Sequence, residues 1–495
     1  MHKTRLPNTA FALCALLLCG AVLGALWSVR FLPLQDYPQH LFIAFATATA
    51  DSATFDWLKH YDISPSLAPY NLCYLIIGGV SQLIGIEAAG KTFLSLIILL
   101  YTGFVLTQPK SDQSESIRAP WPLLLIFPLF FNQIFYMGFL NYLLALPLLL
   151  FALRYTISFA TSTNPKSQLA LLGPLMALVF LAHPYVFTVY LVLGGCILWS
   201  HWGSFNTMVR LLKLFIPSGL MFVFWYLQLP KLDQPFVFSW WDFIDGTLTY
   251  FALPFMGMRL TTNIDSITLA LWAAIATVIL YSLWRARDSI AWLRPSLMLW
   301  MTLLTLVLFC ALPFWFGYYS YFNVRLAPLV CLLAVVTFSV LPVHRIGAAV
   351  IMVSCLGLLA IADQRHRDYS VETAAILPIL EQMPANARVF PIYEDSSSAQ
   401  FDPTFYYQIH AHDHHYYHTL IGGGVGPTLF PNPMLPVQYK VGALPPSPNS
   451  AQGLAQAYDF VLLRSPKPNM VNLFSEVMQP IARSGPWFSF KAIKH

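Results

Sequence analysis

Nine stretches of this chain carry no Asp, Glu, Lys or Arg: residues 6–29, 92–109, 119–153, 169–200, 214–230, 266–284, 295–324, 326–343 and 346–362. A helix needs about 20 apolar residues to cross a bilayer core, with about 17 as the lower limit. Two of the stretches are long enough for two short crossings each. Residues 119–153 break at Phe131-Asn132-Gln133 through Gly138, and 169–200 break at His183-Pro184, because proline disfavours a helical residue before it. The spacing therefore predicts eleven crossings. Charged residues make up 10% of the chain, against about 25% in soluble domains. A soluble enzyme, a disordered chain and a nucleic-acid binder with a basic face are all excluded.

Lys and Arg set the expected orientation. Lys110 and Arg118, Arg154 and Lys166, Arg210 and Lys213, Arg285, Arg287 and Arg294, and Arg345 occupy alternate connections. All of them face the cytoplasm if the apolar stretch 71–86 does not cross. That stretch is short, contains Gly78, Gly79 and Ser81, and reads as an interfacial or re-entrant helix. The N-terminus is then cytoplasmic and the C-terminus outside. The expected division is a transmembrane domain over 1–362, with membrane-surface helices in an outer loop over 30–91, and a small α/β extracytoplasmic domain over 363–495. In that tail the pattern suggests a helix at 371–382, strands at 388–393, 458–463 and 487–493, a helix near 471–482, and a Gly- and Pro-rich loop over 421–450. Seven cysteines, six of them within apolar runs, show no CxxC spacing or disulfide framework. The short loops, their Lys/Arg bias and the lack of an N-x-S/T sequon fit a bacterial inner membrane.

The segment Leu34-Gln35-Asp36-Tyr37-Pro38-Gln39-His40 directly follows the first apolar run. Pro38 suits the first turn of a helix, with Asp36 near its N-cap. Asp36 and His40, four apart, could share a face, with the carboxylate as general base toward a hydroxyl and His40 positioning it. The competing reading is that Asp36 only caps the helix. Arg325 ends the aromatic run Gly317–Val324, and His183 precedes Pro184; both fall at outer helix ends. An Arg fork suits phosphate oxygens, although it could equally reach lipid headgroups. His183 could simply satisfy a helix-end carbonyl. Trp240 and Trp241 could stack on a sugar or anchor an interface. His410, His412, His414 and His418 lie in a dense cluster with Asp413 and His415. Their spacing could offer imidazoles to a divalent metal, and such runs are also commonly free of ligands. Gly422-Gly423-Gly424-Val425-Gly426 lacks nucleotide-binding spacing and reads as loop.

A first helix, an acidic residue opening a large outer loop, and surface helices within that loop resemble the GT-C superfamily of membrane glycosyltransferases. These include protein O-mannosyltransferases and lipid A aminoarabinose transferases. The runs Gly138-Phe139-Leu140-Asn141-Tyr142 and Ala182-His183-Pro184 also look like those of bacterial members. Where some of these families carry a second carboxylate, this chain has Tyr37. The resemblance implies a polyprenyl-phosphate-linked sugar as donor and an acceptor hydroxyl on a glycan, lipid or protein. It also implies direct displacement with inversion, Asp36 as base, and Arg325 with His183 at the phosphate. Nucleic acid has no place as a partner. The competing expectations are a transporter for lipid-linked glycans or polysaccharide, and a non-catalytic assembly partner in the membrane. Transporters usually place ionisable residues deep within spans, whereas here His183 is the only one inside an apolar run and it falls at the expected break.

Overall fold

The computed structural model describes residues 9–107, 119–161, 165–227, 237–240, 263–287, 296–317, 320–401, 408–430, 434–444 and 450–493. The chain divides into two compact units. The first comprises Met1–Ala25, Ser95–Phe135 and Asn141–Asp363, and the second Leu26–Leu94, Tyr136–Leu140 and Gln364–His495. The outer loop expected over 30–91 thus falls in the same unit as the tail.

Helices dominate the first unit, and the chain is a multi-pass membrane protein. Among the described residues, six helices are long and apolar enough to cross a bilayer: Thr9–Trp27, Ile86–Leu106, Leu140–Ala160, Phe205–Leu227, Ser266–Ala286 and Arg345–Leu380. Six shorter apolar helices accompany them, among them Gln168–Ala182, Pro184–Ser200, Leu297–Ala311 and Leu326–Phe338. The expected breaks lie where the sequence places them. One helix ends at Ala182 and the next begins at Pro184, and a kinked series ends at Met137 before a helix opens at Leu140. His183 takes an extended conformation, as a residue before proline should. Hydroxyls join neighbouring helices where apolar packing has no water to escape from: Thr156 lies 2.8 Å from the Tyr190 hydroxyl, and Thr302 3.1 Å from Thr337.

The second unit is built on a four-stranded sheet in the order Val389–Tyr393, Phe460–Arg464, Trp487–Ala492, Met478–Ser484. The first pair is parallel and the other two are antiparallel. Val461, Leu463, Phe474, Met478 and Phe490 form one buried core. Two expectations need correction. The helix near 471–482 stops at Val477, and Met478–Ser484 is a strand. Pro480, which has no N–H to give, is accommodated there because this strand lies at the sheet edge beside a register shift. The region 421–450 is not all loop, since Val437–Tyr439 pairs antiparallel with Tyr61–Ile63. This two-stranded ladder joins the loop after the first helix to the tail. The stretch 71–86 holds a helix at Leu72–Ile84, whose 13 residues are too few to cross a bilayer.

Candidate active site

A first group of residues lies in the second unit. After the Thr9–Trp27 helix the chain turns and runs beside residues 136–138. Gln35 N donates to Tyr136 O at 2.8 Å, and Asp36 N donates to Met137 O at 3.1 Å. Gly138 makes this approach possible. Its φ is +82°, and a Cβ there would lie 2.9 Å from Asp36 N. No other residue fits without moving Asp36.

Asp36 precedes the helix Tyr37–Ala48, with Pro38 in its first turn, but its side chain makes no capping hydrogen bond. The carboxylate instead meets an imidazole from far along the chain: His412 Nε2 is 3.4 Å from Asp36 Oδ1. His40, the neighbour suggested by spacing, turns its Nδ1 to the Tyr74 hydroxyl at 2.8 Å and packs its ring on Phe430. Burial and the nearby His412 lower His40 to about 3, against a backbone hydrogen bond at Gly138. Burial lowers His412 to about 4. Both rings are therefore neutral at physiological pH. The expected Asp36–His40 pairing is replaced by Asp36 facing His412.

The turn carrying His412 is fixed by buried charge. His410 Nδ1 lies 2.6 Å from Asp413 Oδ2 and its Nε2 3.1 Å from Glu372 Oε1. Arg464 Nη2 donates to the same Glu372 oxygen at 3.2 Å, and Tyr369 stacks on the His410 ring. Burial alone would lower His410, but Asp413 and Glu372 outweigh it and raise the imidazole above its usual range. Cationic His410 and Arg464 thus balance two carboxylates.

The remaining histidines meet hydroxyl and carbonyl groups, with His414 and His415 sharing Thr428 Oγ1. His414 contacts the Tyr393 hydroxyl at 2.8 Å and Thr428 Oγ1 at 2.5 Å, and His418 Nδ1 donates to Gly423 O at 3.0 Å. Among the described residues no three of His, Cys, Asp and Glu gather as a metal site. The candidate ligands His410, His412, His414 and His418 are thus separated by hydrogen bonds of their own.

A second group lies in the first unit. Arg325 stands immediately before the Leu326–Phe338 helix, and His183 immediately before Pro184–Ser200. The structure brings them together: Arg325 Nη1 is 3.4 Å from His183 Nε2. A guanidinium can only donate, so this contact places the imidazole lone pair on Nε2. Tyr142 donates to the Arg325 carbonyl, Tyr185 donates to Phe322 O at 2.8 Å, and the Tyr142 ring meets His183 edge-on. The aromatic run before Arg325 therefore contributes backbone acceptors that hold the cation's helix end in place.

Trp240 is exposed, packs edge-on against Phe238 and donates from Nε1 to Ala311 O at 3.0 Å. Trp241 lies outside the described residues.

No family model and no curated protein matches the sequence. Among solved structures, the chain is similar to ArnT from Cupriavidus metallidurans bound to undecaprenyl phosphate. The TM-score is 0.54 at 11% identity, over 98% of this chain and 97% of that one. The chain shares the overall fold of that structure. The apo form of the same protein aligns with a TM-score of 0.49 at 10% identity, over 97% of each chain. At such identity the likeness extends to the path of the backbone. Side-chain roles rest on this chain's own geometry. Sequence reasoning missed His412 as the partner of Asp36, and the Glu372–His410–Asp413–Arg464 cluster behind it. The one local signal was Asp413 three residues after His410, the spacing at which a turn returns a carboxylate to an imidazole.

Proposed function

We propose that this chain is a membrane glycosyltransferase that moves a sugar from a polyprenyl-phosphate carrier to an acceptor hydroxyl, with inversion at the anomeric carbon. The observation that carries this reading is Asp36. Its carboxylate is spared from capping its own helix, held by a glycine-permitted backbone approach, and faced by a neutral imidazole. The GT-C fold supports it, as does the undecaprenyl phosphate bound in the ArnT structure.

In this mechanism the acceptor oxygen attacks the anomeric carbon as the bond from that carbon to the phosphate oxygen breaks. The electron pair leaves with the polyprenyl phosphate, already an anion, so no general acid is required. The hydroxyl proton passes to Asp36, which His412 orients by donating from Nε2. Arg325, steadied by His183, stabilises the phosphate charge that grows in the transition state. His40, tied to Tyr74, shapes the wall beside Asp36. Trp240 and Trp241 are the weaker candidates for contact with sugar or acceptor. The reading includes eleven crossings with Leu72–Ile84 on the surface, a cytoplasmic N-terminus, and a tail outside a bacterial inner membrane. The Lys and Arg distribution supports this orientation.

The test is native mass spectrometry of the detergent-extracted protein with undecaprenyl phosphate, comparing wild type, Asp36→Asn and Arg325→Ala. Release of polyprenyl phosphate from a panel of lipid-linked sugars is followed in parallel. Selective lipid binding that survives Asp36→Asn while release is abolished, and that weakens in Arg325→Ala, supports separate base and phosphate roles. Absence of selective binding in every form would remove the reading.

A further inference from the structure

Within the first unit, the helices Leu140–Thr161, Pro165–Ala182 and Phe205–Leu227 border a groove of about 690 Å³. Its walls follow two helical stripes. Leu169, Gly173, Met176 and Ala177 recur at helical spacing on one helix. On the other, Arg210 and Lys213 are followed by Leu214, Pro217, Ser218 and Met221, again at helical spacing. The groove is thus cationic at one end and nearly all apolar below, and no carboxylate is among the described residues that line it.

The cationic end is built rather than incidental. Arg210 Nη1 donates to Phe159 O at 3.2 Å, satisfying a carbonyl in the last turn of the Leu140–Thr161 helix. That bond fixes the guanidinium at the head of the groove, and Lys213, one turn further on, is exposed beside it. Arg154 and Lys166 belong to the same basic face of the chain, the one the Lys and Arg distribution assigns to the cytoplasm. Leu171, Ile216 and Leu220 flank the groove with more than half of their surface exposed, as side chains turned to lipid would be. At about 1.5 Å rise per residue, Met221 lies about 12 Å deeper than Lys213, a depth that takes most of an acyl chain.

We propose that this groove binds an anionic membrane phospholipid, with its phosphate on Arg210 and Lys213 and one acyl chain lying between the two stripes. The charge pattern selects this occupant. Arg210 and Lys213 suit a phosphate at the head of the groove, and a water-soluble phosphate would leave the apolar walls unfilled. None of its lining residues belongs to the Asp36 or Arg325 groups, and the proposal does not depend on the proposed reaction.

The test counts lipids retained by the whole protein in native mass spectrometry, with phosphatidylglycerol, phosphatidylethanolamine and glycerol phosphate as probes. Wild type is expected to retain phosphatidylglycerol selectively and to ignore glycerol phosphate. Lys213→Gln should cut that selectivity about fivefold, the worth of one basic residue near an anionic headgroup. Gly173→Phe addresses the apolar part. A Cβ there meets nothing within 4 Å, so the ring can enter the groove without displacing the backbone. It should lower retention of phosphatidylglycerol while the melting temperature holds. Equal retention of the two phospholipids by wild type would overturn the proposal. So would unchanged retention in Gly173→Phe, or capture of glycerol phosphate as strongly as the lipid.

Discussion

His418 provides the sharpest physical test of how the second unit is held. The residue is fully buried; its Nδ1 donates to Gly423 O at 3.0 Å, and its ring packs 4.6 Å from Phe42. Nε2 has no hydrogen-bond partner. A proton on Nε2 would place an unbalanced charge among aromatic rings, and burial accordingly lowers the group from 6.5 to about 4. The unfolded chain then binds more protons than the folded one throughout the interval, so stability is complete above about pH 6.5 and falls on acidification. From pH 7.5 to 5 the loss is about 2 kcal/mol, or about thirtyfold in the opening equilibrium. The substitution His418→Asn keeps a donor for Gly423 and removes the titration. Hydrogen–deuterium exchange of residues 415–426, corrected for the intrinsic effect of pH, should show wild type losing about thirtyfold more protection than the variant over this range. Both proteins should share the remaining loss, from His412, His414 and His415, which burial also lowers. Parallel pH profiles in the two proteins, or greater protection of wild type at pH 5, would refute the reasoning.

Three further outcomes follow from the geometry. Gly138→Ala forces a side chain to φ +82° and to within 2.9 Å of Asp36 N. In the proposed reaction, a displacement of that order should lower transfer about 100-fold while retention of undecaprenyl phosphate holds, read by comparing turnover with lipid retention. Asp413→Asn removes a buried partner of His410 and should destabilise the second unit by about 3–5 kcal/mol, seen as earlier proteolysis of the tail. Because the pKa of His410 is raised, its contribution is complete below 6.5 and disappears as pH rises through the folded value, so the wild-type advantage over Asp413→Asn should shrink in alkali. Arg325→Lys should recover less than half of the polyprenyl phosphate affinity lost in Arg325→Ala, since a point charge cannot reproduce the fork that meets His183 and the Ser320 carbonyl.

Much of the membrane framework was legible because its causes are local. Uncharged runs of spanning length, a proline after His183 and a glycine at 138 each dictate backbone conformation within a few residues. Arg325 and His183 were both readable as helix-end residues, although only the structure shows them in contact. The tail was less legible. Residues 478–484 carry Pro480 and little alternation, and they become a strand because Trp487–Ala492 offers a pairing edge. Val437–Tyr439 is a strand only through Tyr61–Ile63, a partner more than 370 residues away.

The partner of Asp36 shows the same limit at the scale of one side chain. Four-residue spacing places His40 one turn from Asp36, and the backbone bond from His40 N to Asp36 O, at 3.0 Å, confirms the turn. Spacing of that kind fixes where a Cβ lies, but not what its ring will face. The His40 ring is buried and needs partners within the protein, and its Nδ1 meets the Tyr74 hydroxyl at 2.8 Å. Asp36, not used in capping its helix, is met by a second segment. The turn that brings His412 can reach it because Asp413, Glu372 and Arg464 fix His410 two residues earlier. The cost of burying those charges is offset only when all four groups are in place. The cluster therefore ties the orientation of the Asp36 carboxylate to the folding of the tail.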